Sequence, residues 1–77
     1  MQSGNGVSEQ DIANIESAEK DLRRRIMIGS SIPRARLVDD LVRHGHSEYS
    51  VIEAIRTGCR RGDLQLRNQG RVVTRKR

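Results

Sequence analysis

A chain of 77 residues holds one domain with one small core, because a domain of this size buries only about 60% of the surface its unfolded chain exposes. Tyr49 is the single aromatic residue, so the core must come from aliphatic side chains, and little surface is left for stacking on unpaired bases. Single-stranded nucleic acid is therefore a poor partner. The charge is uneven: residues 1 to 22 carry one lysine and five acidic groups, a net −4, whereas residues 23 to 77 carry fourteen basic and five acidic groups, a net +9. Nearly all of the positive charge is arginine, whose planar fork suits phosphate and guanine. A polyanion is the first partner to consider, and an arginine-rich composition decorating an ordinary surface is the alternative.

The opening MQSGNGVSEQ has no apolar signal region, no run approaches the roughly 18 apolar residues of a membrane span, and one cysteine cannot staple a fold internally. These features imply a cytoplasmic, nucleoid-associated protein in a reducing compartment, with no membrane partner.

In chain order, residues 1 to 8 are polar and rich in glycine and form a disordered tail, with Ser8 placed to cap the first helix. The domain occupies residues 9 to 77. Ile12, Ile15, Ala18, Leu22 and Ile26 recur at mostly helical spacing up to Gly29, which predicts that first helix over 9 to 28, with a break near Ser17 as a variant. Its acidic residues lie mainly in the first half and Arg23, Arg24 and Arg25 in the second, the order the helix dipole favours. Ser30 to Ile32 is a candidate short strand. Pro33 stands in the first turn of a second helix, with Leu37, Val38, Leu41 and Val42 as its apolar stripe and Gly45 as its end. Ser47 caps a third helix that turns Val51, Ile52, Ala54, Ile55 and Cys59 inward before Gly62 closes it. The short link His44-Gly45-His46 makes the second and third helices a helix-turn-helix. The remainder, RGDLQLRNQGRVVTRKR, alternates apolar and polar residues about Asn68-Gln69-Gly70 and predicts a hairpin with a three-residue turn. That turn places Leu64, Leu66, Val72 and Thr74 on one face, with Gln65, Arg67, Arg71, Val73 and Arg75 on the other.

The order helix, short strand, helix, turn, helix, hairpin resembles the winged-helix family of helix-turn-helix DNA-binding domains, over RARLVDDLVRHGHSEYSVIEAIRTGCRRGDLQLRNQGRVV, residues 34 to 73. The fold class is thus mainly α with a small β-hairpin wing. The resemblance implies a third helix in the major groove of duplex DNA and a wing on the backbone or in the minor groove. The chain departs from a typical member in having no aromatic residue in the core or on the wing.

The residues themselves supply the candidate contacts. The outward face of the third helix offers Ser47, Glu48, Tyr49, Ser50, Glu53, Arg56, Thr57 and Arg60, a mixture able to meet base edges, although carboxylates repel phosphates. Arg34 and Arg36 at the start of the second helix, with Arg67, Arg71, Arg75, Lys76 and Arg77 on the wing and tail, are the candidate phosphate anchors. The wing arginines are equally fit to prevent edge-to-edge pairing of copies. His44, His46 and Cys59 lack a fourth ligand and zinc-site spacing, so no metal is expected. Asp39 and Asp40 point in different directions on a helix and make a poor acid/base pair. Neither a cofactor, a small-molecule substrate nor an enzymatic activity is expected.

Two functions are compatible with these residues. The first is a small transcriptional regulator that binds duplex DNA sequence-specifically, as a homodimer through the first helix, where Ile12 and Ile15 lie beyond the expected core. The second is a winged helix serving protein interaction or dimerisation within a larger nucleic-acid complex, favoured by Glu48 and Glu53 on the presumed reading helix.

Overall fold

The computed structural model describes residues 8–77; of the tail expected to be disordered over residues 1 to 8, residues 1 to 7 lie outside them. Ser8 accepts a hydrogen bond from the Asp11 amide at 3.1 Å and caps α1, Glu9–Arg25. Glu9 and Asp11 in the first turn and Arg23 to Arg25 in the last complement the helix dipole. The helix is continuous past Ser17 but stops three residues short of the expected end. Ile26 turns extended (φ −124°, ψ 120°), and Gly29 at φ +88° donates its amide to the Arg75 carbonyl at 2.7 Å. Pairing with the last strand thus decides where α1 ends, and helix propensity does not.

The chain then forms β1 (Ser31–Pro33), α2 (Arg34–Arg43), α3 (Glu48–Arg61), β2 (Leu64–Arg67) and β3 (Val72–Arg75). The result is mainly helical, with a small three-stranded antiparallel sheet in the order β1-β3-β2. Pro33 is the last residue of β1 and stands at the N-cap of α2, just before its first turn. Ser47 accepts from the Ser50 amide at 3.1 Å to cap α3, and Gly62 closes that helix in the left-handed region at φ +83°, where the absence of a Cβ removes the usual strain.

The core consists of Ala18, Leu22, Ile26, Leu37, Leu41, Val51, Ala54, Ile55, Leu64 and Val73, with Ile15, Ile32, Val38 and Cys59 packed partly against it. Fewer apolar residues are inside than the helical stripes implied: Val42 and Leu66 are each 41% exposed.

The hairpin corrects the predicted register. Arg67 pairs with Val72 and Leu66 with Val73, so the connection is four residues, Asn68 to Arg71, not three. Asn68 (φ 53°), Gln69 (φ 59°) and Gly70 (φ 85°) all have positive φ. The Gly70 amide bonds the Arg67 carbonyl and the Arg71 amide bonds the Asn68 carbonyl, both at 3.1 Å. Because side chains alternate, this slip of one residue exchanges the faces of β3. Val73 becomes core, and Thr74 turns to the other face, where its hydroxyl lies 2.7 Å from that of Ser31 on β1.

Two contacts yield measurable expectations. A Cβ on Gly58 would lie 2.5 Å from Leu64 Cδ1 and 2.7 Å from its Cγ, so α3 approaches β2 more closely than any larger residue permits. Gly58→Val is expected to destabilise the fold by about 1–2 kcal/mol, overpacking outweighing the modest gain in helix propensity. Chemical denaturation checks it; a variant as stable as the parent would show that Leu64 moves aside freely.

The second contact ties α1 to the turn between α2 and α3. His46 Nε2 donates to Asp21 Oδ2 at 3.0 Å, with Arg25 Nε 3.6 Å from the other oxygen. Burial alone would raise the Asp21 carboxyl, but the His46 hydrogen bond and the charges of Arg25, His46 and His44 outweigh it and hold the group below its ordinary value. The folded state therefore holds this proton less tightly than the unfolded one. Its stabilisation is full above the unfolded value near ~4 and is lost as pH falls through the lower folded value. Asp21→Asn is expected to reduce the loss of stability as pH falls from about 5 to below the ordinary carboxyl value of about 4. An unchanged acid profile would exclude the clasp.

Candidate nucleic-acid and partner interface

The third helix does not expose all of the mixed reading face expected from its sequence. Ser50 lies on the same side as Ala54 and Gly58, packed toward α1, and is 2% exposed. Its hydroxyl receives a bond from Ser47 Oγ at 2.8 Å, so both serines serve the helix cap and Ser50 is removed from any base contact. Tyr49, Arg56 and Arg60 remain exposed, while Glu53 and Thr57 are partly covered. Arg56 reaches Glu53 at 3.5 Å, which partly neutralises both.

The candidate phosphate anchors fall into separate groups. Arg34 donates its Nε to the Gly70 carbonyl at 2.9 Å and its amide to the Arg71 carbonyl at 2.7 Å, latching the start of α2 to the wing turn. With exposed Arg67 and Arg71 it forms a basic tip. Arg36 instead lines a different hollow, beside Arg24, Met27 and Asp40.

Arg75, expected on the outer basic face, is partly buried. Its Nη1 donates to the carbonyls of Arg23 (2.8 Å) and Ile26 (2.9 Å) and its Nε to that of Arg77 (2.7 Å). The slipped register turned it inward, onto the carbonyls left free where α1 ends. Lys76 and Arg77 donate their amides to the Asp63 carbonyl at 2.7 and 3.3 Å. They lie at the end of the hairpin opposite the tip, so the charge of the tail is separate from that of Arg67 and Arg71.

An apolar groove, which no motif in the chain announces, lies beside the third helix. Two adjoining hollows of about 490 and 560 Å³ share Arg34 and Ile52. The first runs between α2 and α3, over Ala35, Val38 and Val42, with Asp39 and Glu48 at its rim. The second continues over Ile55, Cys59 and Leu66, rimmed by Arg56 and Arg60. The available signal was the width of the α2 stripe: Leu37-Val38 and Leu41-Val42 are two adjacent rows, and α3 covers only one of them. Burial pushes the Cys59 thiol up, which keeps it protonated and unreactive near neutral pH. Among the described residues no three His, Cys, Asp or Glu side chains form a group fit for a metal, and no helix is long and apolar enough to cross a membrane.

The first-helix dimer surface also changes. Ile15 packs against the core, leaving Ile12, 47% exposed, on an outer stripe of α1.

The family described as "MCM5, C-terminal domain" matches residues 17–75. The chain is 35% identical over 69 residues to the DNA replication licensing factor Mcm5 of Drosophila melanogaster, covering 90% of this chain and 9% of the relative. It is 39% identical over 67 residues to that of Oryza sativa subsp. indica, covering 86% and 9%. It is 31% identical over 77 residues to that of Arabidopsis thaliana, covering 92% and 11%. The chain thus spans about a tenth of the length of these relatives.

Two expectations are overturned by these likenesses, and a third is left without support. The relatives are factors of DNA replication licensing, which displaces transcription regulation. They come from eukaryotes, whose chromosomes are nuclear, which displaces the cytoplasmic, nucleoid-associated setting. They match this chain over only a small part of their own length, and nothing in the match supports a free-standing homodimer. The match over residues 17–75, on a fold of three helices and a wing, shows that the chain belongs to the family of MCM5 C-terminal domains.

Proposed function

We propose that this domain is an interaction module of a DNA replication licensing protein, a winged helix that holds a protein partner beside duplex DNA. It acts by binding and performs no chemistry of its own. The observation that carries this reading is the uncovered apolar groove beside α3, where Val42 and Leu66 each leave 41% of their surface in solvent. Contiguous exposed apolar surface rimmed by charge marks a protein interface, and hydrated phosphates gain nothing by covering it. The buried Ser50 and the Glu53–Arg56 pair argue in the same direction, since they subtract from the face that would read bases.

Contact with duplex DNA is a second, compatible role, favoured by Arg67 and Arg71. Both are exposed at the tip, and among the described residues neither has a carboxylate partner. They grip backbone rather than sequence.

The two surfaces are separable by mutation. Val42→Gln with Leu66→Gln, which adds no charge beside Arg67, is expected to weaken association with the licensing assembly strongly while leaving duplex affinity unchanged. Arg67→Ala with Arg71→Ala is expected to weaken binding to all duplexes alike and to flatten the slope of log affinity against log salt by roughly 2. A duplex preferred by about 10³-fold over unrelated sequences, or a groove variant that loses DNA as well as partner, would overturn the reading.

A further inference from the structure

We infer that the occupant of the groove is an amphipathic α-helix with acidic flanks, supplied by a protein partner; this rests on the interaction-module reading above. The groove follows α3 from Glu48 to Arg60, about 18 Å at the helical rise, which matches roughly three turns of a second helix. Its floor is Val38, Val42, Ile52 and Leu66, and a helix would meet it with one apolar stripe at i, i+3 or i+4, and i+7.

The walls decide between helix and strand. Along most of the groove the neighbours are α2 and α3, whose backbone groups are engaged within their own helices. An extended peptide lying there would leave its amides and carbonyls unpaired over an apolar floor, whereas a helix satisfies them internally. Only the short open edge of β2, at one end, has backbone to offer.

Charge decides the flanks. Arg34, Arg56 and Arg60 gather at the Leu66 end, and among the described residues Glu53 is the one carboxylate paired with them. At the other end Asp39 is already bound by Arg43 at 3.1 Å, leaving Glu48 as the main acidic group on the rim. Carboxylates beside the partner's apolar stripe would meet the arginines, and lysines there would be repelled. Duplex DNA matches the arginines but not the floor.

The test uses the 77-residue chain and synthetic helical peptides of about four turns. One carries a Leu stripe flanked by Glu, one has the same composition shuffled to break the stripe, and one has Lys in place of Glu. The acidic amphipathic peptide is expected to bind and to shift the NMR signals of Val38, Val42, Ile52 and Leu66. Val42→Glu is expected to weaken it by about tenfold or more without changing the melting temperature, and Arg60→Glu to weaken it and favour the Lys peptide. Equal binding of the shuffled peptide, shifts confined to Arg67 and Arg71, or self-association that shifts these same residues would each overturn the inference. If no peptide binds but Val42→Glu still abolishes association with the licensing assembly, the helix is wrong and the module stands. If that association also survives, both fall.

Discussion

Truncation of Leu41 to alanine is expected to lower the free energy of unfolding by about 2–5 kcal/mol. Leu41 is fully buried where α2 meets the rest of the core, and its carbonyl also receives the amides of His44 and His46, at 3.1 and 3.2 Å, in the turn that leads to α3. A cavity there removes packing from the part of the chain that sets the angle between the two helices. A domain of this size has only about 4–12 kcal/mol of stability in all, so the loss is a large share of the whole. Leu66→Ala is the control, since a side chain 41% exposed loses little by truncation, about 1 kcal/mol or less. Thermal and denaturant unfolding of the two variants give the comparison. Equal losses would mean that Leu66 belongs to the core and that the groove is shallower than described.

Arg75→Ala is expected to cost about 1.5–3 kcal/mol, the scale of losing charge-assisted hydrogen bonds at a partly buried site. Its guanidinium joins the carbonyls of Arg23 and Ile26 to β3 and so fastens the end of α1 to the sheet. Without it those carbonyls rely on water, and the extended stretch after α1 loses one of its anchors. Arg75→Lys is not expected to restore the stability, because one ammonium cannot reproduce a planar fork that donates in two directions. The salt dependence of duplex binding is expected to stay as in the parent. A stable Arg75→Ala protein whose salt slope falls would return this residue to the DNA-contacting set.

The contrast between Arg75 and Arg67 shows what the sequence could and could not tell. Element order was legible because its signals are local: Ser8 and Ser47 as caps, Gly45 and Gly62 at helix ends, Pro33 at the entry to α2. The faces of β3 were not, because they depend on whether the turn holds three residues or four. Asn68 and Gln69 both adopt positive φ, a conformation that neither residue announces as glycine would. That single residue moved Val73 into the core and Arg75 onto the helix end. The groove was hidden for another reason. Val38, Val42 and Ile52 have the spacing of core residues, and periodicity cannot say whether an apolar row is covered by this chain or left for another.

The most direct measurement is photo-crosslinking from two positions of the protein in chromatin of replicating cells, with the crosslinking side chain replacing Val42 in one sample and Arg71 in the other. The expected result is a polypeptide adduct from position 42 and a DNA adduct from position 71. DNA captured from position 42, or no polypeptide there while position 71 reacts, would contradict a groove built to hold a protein partner.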